Sequence, residues 1–302
     1  MPQPTVVSLG ELLWDMLPDG KRAGGAPVNF AYHAMKNGTE SHSISAIGND
    51  ELGDELATAA AQAGIDAVLQ RNAWPTGTVE VALRNGIPEY TIVEDVAWDH
   101  LEATPELEEL VARADAICYG TLGLRSPAAH DAIVDLLAAA KPEALTFFDI
   151  NLRGDFYSKE LIEELLGYAK VFKINDEELE MLRGMFGFED GLSDDDIARR
   201  FIERFGLDYL ILTGGSTFSS VYAKDGSVST LATPLVEVAD TVGAGDSFSG
   251  TFTGRLLTGS SMAEAHRAAV NTAAYVCTQT GAWPDYPAEI PDYLKMKEDG
   301  LL

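Results

Sequence analysis

Short apolar runs alternate with helical patterns along nearly the whole chain. The runs "TVVSLG" (5–10), "HSISAIG" (42–48), "DAICYG" (115–120), "LTFFDIN" (145–151), "KVFKIN" (170–175) and "DYLILTG" (208–214) predict strands. Between them, "DELGDELATAAAQAG" (50–64), "SPAAHDAIVDLLAAAK" (126–141), "SKELIEELLGYA" (158–169) and "SDDDIARRFIERFG" (193–206) carry helical spacing. Such alternation predicts an α/β fold, a mostly parallel sheet flanked by helices on both faces. Ligands of such sheets sit beyond the carboxyl ends of the strands, so the residues just after each run matter most.

One segment breaks the rhythm. In "TGTVEVALRNGIPEYTIV" (76–93), apolar residues recur with period two at Val79, Val81 and Leu83, then at Tyr90 and Ile92 beyond Asn85-Gly86. Alternation around Asn-Gly predicts an antiparallel hairpin, read as a small β flap beside the main sheet. With no repeat, low-complexity tract or linker, the expectation is a single domain over 1–302, with lid elements around 12–22 and 76–98.

Composition narrows the function classes. A net charge of −27, from 21 basic and 48 acidic residues, argues against general affinity for nucleic acid or anionic membrane. It leaves room for a nucleotide held by a local nest of N–H groups. No apolar stretch approaches the roughly 18–20 residues of a spanning helix, and "MPQPTVVSLGELLW" lacks the pattern of a signal peptide, so a cytoplasmic protein is expected. Cys118 and Cys277 lie in apolar contexts and read as buried reduced thiols, and the five histidines show no ligand spacing.

The chemistry concentrates at "DTVGAGDSF" (240–248). No Gly-Lys-Ser/Thr follows, so it is not a Walker A loop, and glycines at 243, 245 and 250 do not make GxGxxG. The preceding "PLVEVAD" is strand-like, and Phe248, Phe252 and Leu256 form one apolar face of a following helix. The small residues would thus sit at a strand-to-helix junction, where unpaired N–H groups and the helix dipole favour an anion. Asp246 reads two ways: as an N-cap worth about 1 kcal/mol, or as a base beside an anion hole, taking the proton of a hydroxyl that attacks phosphorus. Spacing alone does not choose.

The string "DTVGAGDSFSGTF" closely resembles the C-terminal signature of the PfkB (ribokinase-like) carbohydrate kinases, and the resemblance runs along nearly the full chain. "GGAPVNFAYHA" (24–34) is similar to the family's first signature and "AIGNDELGDEL" (46–56) to the segment after it. "GELLWDMLPDG", "TGTV", "VAWD" and "FDINLR" resemble the fructokinase branch. The resemblance implies a ribokinase-like fold with a lid, and ATP-dependent phosphorylation of a sugar primary hydroxyl, D-fructose to fructose 6-phosphate. It implies Asp246 as base, with Gly243, Ala244 and Gly245 offering N–H groups to the transferred phosphoryl and Arg153 clamping phosphate or closing on the sugar. Asp15, Gly25 and Asn29 would hold sugar hydroxyls. Asn175 and Glu178 resemble the NxxE element that organises Mg²⁺ and its waters. Thr213 and Gly215 would line the nucleotide site with Asn271 near the adenine, and Asp240 and Val242 would flank a potassium ion.

One departure stands out. After "DYLILT" the family pattern is roughly GxxG, and here Gly215 is present but Phe218 takes the place of the second glycine. A bulky side chain there would alter backbone approach to the nucleotide, weakening ATP binding or altering base preference; the alternative is a loop shifted by one residue. The competing readings are a kinase for ribose, 2-keto-3-deoxygluconate or a nucleoside, and a non-catalytic sugar or nucleotide sensor; the intact Asp246 and "GAG" argue against the sensor. Open lid strands would be an edge liability, so a homodimer pairing two lids is expected.

Overall fold

A computed structural model describes residues 2–18, 20–84, 87–189 and 191–300, with the side chains of 81–90 excepted. The chain begins with strands β1 (Thr5–Leu9), β2 (Leu13–Leu17) and β3 (Gly20–Gly24), followed by helix α1 (Ala26–Lys36). Next come β4 (Glu40–Gly48), α2 (Glu51–Gln62), β5 (Asp66–Asn72), β6 (Thr78–Arg84) and β7 (Ile87–Ile92). The middle contains α3 (Pro105–Arg113), β8 (Ala116–Tyr119), α4 (Pro127–Ala138), β9 (Leu145–Asp149), α5 (Lys159–Leu166) and β10 (Val171–Asn175). Helices α6 (Asp176–Phe186) and α7 (Asp194–Phe205) lead to β11 (Tyr209–Thr213), β12 (Phe218–Ala223) and β13 (Val228–Ala232). Helices α8 (Ala244–Leu257), α9 (Met262–Cys277) and α10 (Tyr293–Glu298) close the chain.

The large sheet runs β13-β12-β11-β10-β9-β8-β1-β4-β5. Every neighbouring pair from β11 to β5 is parallel, and β12 and β13 add an antiparallel meander at one edge. Alternation along the strands divides the core. Val6, Cys118, Phe147, Val171 and Ile211 face α1, α8 and α9, whereas Val7, Ile117, Phe148, Phe172 and Leu210 face α3 to α7. Helices therefore cover both faces, and all six predicted strands and all four predicted helices are present.

The flap is a second sheet of order β3-β2-β6-β7, with β2 and β6 parallel and the outer pairs antiparallel. The hairpin pairs Arg84 with Ile87, so a two-residue connection joins its strands. Asn85-Gly86 itself, and the side chains of Val81, Leu83 and Tyr90, lie outside the described residues. The run "PLVEVAD" is not a strand: among the described residues its only backbone–backbone bonds are from the Ala239 and Asp240 N–H groups to the Cys277 carbonyl, at 2.8 and 3.3 Å, and Val236 and Val238 line a cavity instead of a sheet neighbour. Cys118 is buried, but Cys277 is only partly covered because it lines that same cavity; both thiols are free. Among the described residues, no helix is long and apolar enough to cross a membrane.

Candidate active site

The carboxyl ends of β1, β9, β10 and β11 open into a cleft of about 410 Å³ roofed by Leu13 and Asp15 of β2, Val79 of β6 and Ile92 of β7. A second cavity of about 340 Å³ adjoins it, walled largely by apolar side chains including Phe218, Leu235, Val270 and Ala273. Thr213, Thr241 and Gly245 line both spaces, so the two meet at the start of α8.

That junction is built by backbone geometry. Gly243 is the residue before α8 and holds φ +76, the left-handed region that favours glycine. A β-carbon on it would also stand 2.7 Å from the methyl of Ala282. Ala244 is the exception among the three small residues: its N–H donates to the Thr241 carbonyl at 3.2 Å, and it lines the second cavity alone. Gly243 and Gly245 line the cleft, where the positive end of the α8 dipole points.

Asp246 is not the N-cap. It is the third residue of α8, and α8 has no side-chain cap. Its carboxylate instead accepts a hydrogen bond from Asn29 Nδ2 at 2.7 Å, and it lines the cleft. Burial, reinforced by the negative charge of Asp149, pushes its pKa up to about 6, against the pull of Asn29, Lys173 and Arg153. A carboxyl poised between acid and carboxylate near neutral pH suits proton transfer.

The remaining predicted residues divide. Gly25 holds φ +131 ahead of α1, where a β-carbon would meet the Glu11 carbonyl oxygen at 2.3 Å, so no other residue fits the turn that brings Asn29 to the cleft. Asp15 faces the cleft from β2; burial raises its pKa, with Arg22 and Arg153 opposing. Arg153 stands exposed on the cleft rim, its Nη1 donating to the Leu152 carbonyl at 2.9 Å. Asn175 and Glu178 line the cleft while forming a capping box at the start of α6: Asn175 Oδ1 accepts from the Glu178 N–H at 2.8 Å, and Glu178 Oε2 accepts from the Asn175 N–H at 2.8 Å. Glu178 Oε1 takes the Leu152 N–H at 3.0 Å, and burial raises its pKa. Thr213 and Gly215 line the second cavity.

Asn271 is placed elsewhere. It lines neither space: its Nδ2 donates to Asp292 and its Oδ1 accepts from the Leu294 N–H, both at 3.0 Å, which pins α10. Val270, Ala273 and Ala274 of the same helix reach the cavity instead. Phe218 folds back over Gly214 and forms cavity wall. Asp240 is tied down: Oδ2 accepts from Arg22 Nη1 at 3.3 Å and the Gly281 N–H at 3.1 Å, and Oδ1 from the Val242 N–H at 3.0 Å.

Sequence reasoning missed three groups. Glu11 is buried at the start of α1, where its Oε1 accepts from the Ala26 N–H at 3.1 Å, and desolvation pushes its pKa up to about 7. Asp149 and Lys173 form a buried ion pair beneath Gly245, with Nζ 3.0 and 2.9 Å from the two carboxylate oxygens. "FDINLR" and "VFKIN" contain both residues, but only the parallel pairing of β9 with β10, which places Asp149 opposite Lys173, shows that they meet.

Comparison with known proteins agrees with this architecture. Fructokinase-1 of rice (Oryza sativa subsp. japonica) is 29% identical over 324 residues, covering 97% of each chain. The fructokinase of Xylella fastidiosa, solved with bound ATP, superposes with a TM-score of 0.82 at 21% identity, over 98% of this chain and 99% of that one. The fructokinase of Vibrio cholerae O395, solved with fructose, ADP and calcium, gives 0.77 at 23% identity, over 92% and 94%. The family model described as pfkB family carbohydrate kinase matches residues 18–289. A parallel sheet whose strand ends meet a glycine junction and a raised carboxyl is thus the setting in which this chain belongs to the pfkB family of carbohydrate kinases.

Proposed function

We propose that this kinase transfers the γ-phosphoryl group of ATP to the primary hydroxyl of D-fructose, giving fructose 6-phosphate and ADP. The observation that carries the reading is Asp246: a raised carboxyl beside the α8 N-terminus, where a polar cleft and an apolar cavity meet. The nucleotide base suits the apolar cavity, its phosphates the α8 N-terminus, and the sugar the polar cleft under the lid. The hydroxyl oxygen forms its bond to γ-phosphorus as the bond to the β-phosphate oxygen breaks, and the hydroxyl proton passes to the Asp246 carboxylate. The N–H groups of Gly243 and Gly245 meet the charge spreading over the transferred oxygens. Asp15 and Asn29 hold sugar hydroxyls, Arg153 closes from the rim, and the lid excludes water. Bound fructose and ADP in the Vibrio relative, and ATP in the Xylella relative, support the substrate pair.

The donor set fits a hydrated Mg²⁺ carried in by the phosphates. Glu178 and Asn175 are oxygen donors fixed at the cleft edge by their mutual cap, suited to holding its waters. When bound, Mg²⁺ neutralises charge on the phosphate oxygens. Among the described residues Asp240 Oδ1 accepts only the Val242 N–H and keeps acceptor capacity, so this carboxylate oxygen and the backbone carbonyls of the 240–242 loop are the groups suited to potassium. The outer lid strands β3 and β7 each pair on one side only, among the described residues, which supports a dimer through the lids.

The test is ADP release with Mg²⁺ and ATP against fructose, ribose, 2-keto-3-deoxygluconate and adenosine. Fructose should give the highest kcat/KM, and Asp246→Asn should lower kcat by about 10²–10⁴ with sugar binding retained. Preference for another acceptor overturns the fructose assignment; near-normal turnover in Asp246→Asn overturns the base.

A further inference from the structure

We propose that Trp283 is a positioning residue that fixes which way the Asn29 amide faces, and so delivers an N–H rather than a carbonyl oxygen to Asp246. The inference rests on the reading of Asp246 as base. A primary amide is nearly symmetric in shape but opposite in polarity at its two ends. Turned one way, Asn29 stabilises a carboxylate; turned the other, its oxygen repels it. The indole N–H is a donor only. Trp283 Nε1 donates to Asn29 Oδ1 at 2.7 Å, and the other end of the amide, Nδ2, then donates to Asp246 Oδ2 at 2.7 Å. The sign of the Asn29 contact with Asp246 is therefore set from a residue 254 positions away in sequence.

Trp283 is itself held. The Gly281 N–H donates to Asp240 Oδ2 at 3.1 Å, the Ala282 carbonyl lies 3.0 Å from His33 Nε2, and Tyr32 Oη donates to the Pro284 carbonyl at 2.6 Å. The 281–284 segment thus braces the glycine junction through Ala282 and aims Asp246 through Trp283. Besides Asn29 of α1, the charged groups acting on Asp246 are Asp149 of β9, Lys173 of β10 and Arg153 of the loop after β9; Glu11, after β1, is coupled to it as well. None of these is altered by removing the indole N–H.

The experiment uses the full chain with two replacements that delete the donor: Trp283→Phe, and β-(3-benzothienyl)alanine at position 283, which keeps the bicyclic shape. The carboxyl titration of Asp246 is followed by ¹³C NMR of aspartate-labelled protein, assigned with Asp246→Asn, alongside the pH dependence of sugar-dependent ADP release. Both replacements should raise the Asp246 midpoint by about one unit, a tenfold change in its proton affinity. From a midpoint of about 6, the rate loss from ionisation would then be about fivefold at pH 6 and about twofold at pH 7, nearly vanishing at pH 8. In an Asn29→Ala background the replacements should shift nothing. An unmoved midpoint, a loss equal at every pH, or the same shift without Asn29 overturns the proposal. A shifted midpoint in a protein that phosphorylates no sugar upholds the positioning and overturns the function reading instead.

Discussion

Replacing Lys173 by Met removes one half of a buried ion pair while nearly keeping its volume. Asp149 and Lys173 are each 7% exposed, and Nζ lies 3.0 and 2.9 Å from the two carboxylate oxygens. Burial pushes the Lys173 pKa down, but Asp149 and Glu178 outweigh it and the ammonium is held above its ordinary value. A raised base contributes stability that is complete below its unfolded pKa and lost as pH rises through the folded one, so the contribution is fully present at pH 7. In Lys173→Met, Asp149 retains the Ser249 hydroxyl at 3.0 Å as partner, and no cation. Breaking such a pair costs about 3–5 kcal/mol. At about 2 °C per kcal/mol for a domain of this size, Tm falls by about 6–10 °C. Lys173→Met with Asp149→Asn should recover much of this loss, because no charge is stranded. Calorimetry on the four proteins of the cycle decides it. A single-variant loss under about 1 kcal/mol, or a double variant that is merely additive, refutes the argument. The same change withdraws a positive charge from beside Asp246, so the acid limb of its rate profile should also move up.

The pH dependence of kcat/KM in the wild-type chain should show an acid limb with a midpoint near pH 6, since only ionised Asp246 accepts the proton; a limb near pH 4 would place the base elsewhere. Gly25→Ala should lower Tm by about 5 °C or more and weaken sugar binding, because a β-carbon 2.3 Å from the Glu11 carbonyl must displace the start of α1 and Asn29 with it. Phe218→Gly should raise the Kd for ATP about tenfold by removing apolar cavity wall, measured by calorimetric titration; tighter binding would mean that the phenylalanine obstructs the nucleotide.

What was legible in the sequence depended on whether the signal was local. The six predicted strands and four predicted helices follow from periodicity, which needs only neighbours in the chain. "PLVEVAD" carries the same alternation yet joins no sheet: an apolar residue reads alike whether it will face a sheet or a cavity, and Leu235 and Val238, 68% and 58% exposed, belong to the second kind. The glycine turn at the start of α8 was legible because the small residues and the helix end coincide within a few positions. The orientation of Asp246 within it was not, since the capping and basic readings differ only in where one side chain points, and Asn29 settles that from 217 residues away.

The same division explains the residues that resemblance carried over unevenly. A backbone role transfers with residue type: Gly25 and Gly243 occupy positive φ against close neighbours, and nothing larger fits. A side-chain role depends on where the atoms point: Asn271 lines neither space and gives its amide to α10, whereas Asn175 and Glu178 face the cleft even while they cap α6. Asn29 is the informative intermediate. Its amide is committed at both ends, to Trp283 and to Asp246, but the second Nδ2 proton is left for a hydroxyl in the cleft. On the proposed function, a residue placed in this way would tune the base and receive the substrate with one planar group, which would set the charge of Asp246 and the position of the acceptor hydroxyl together.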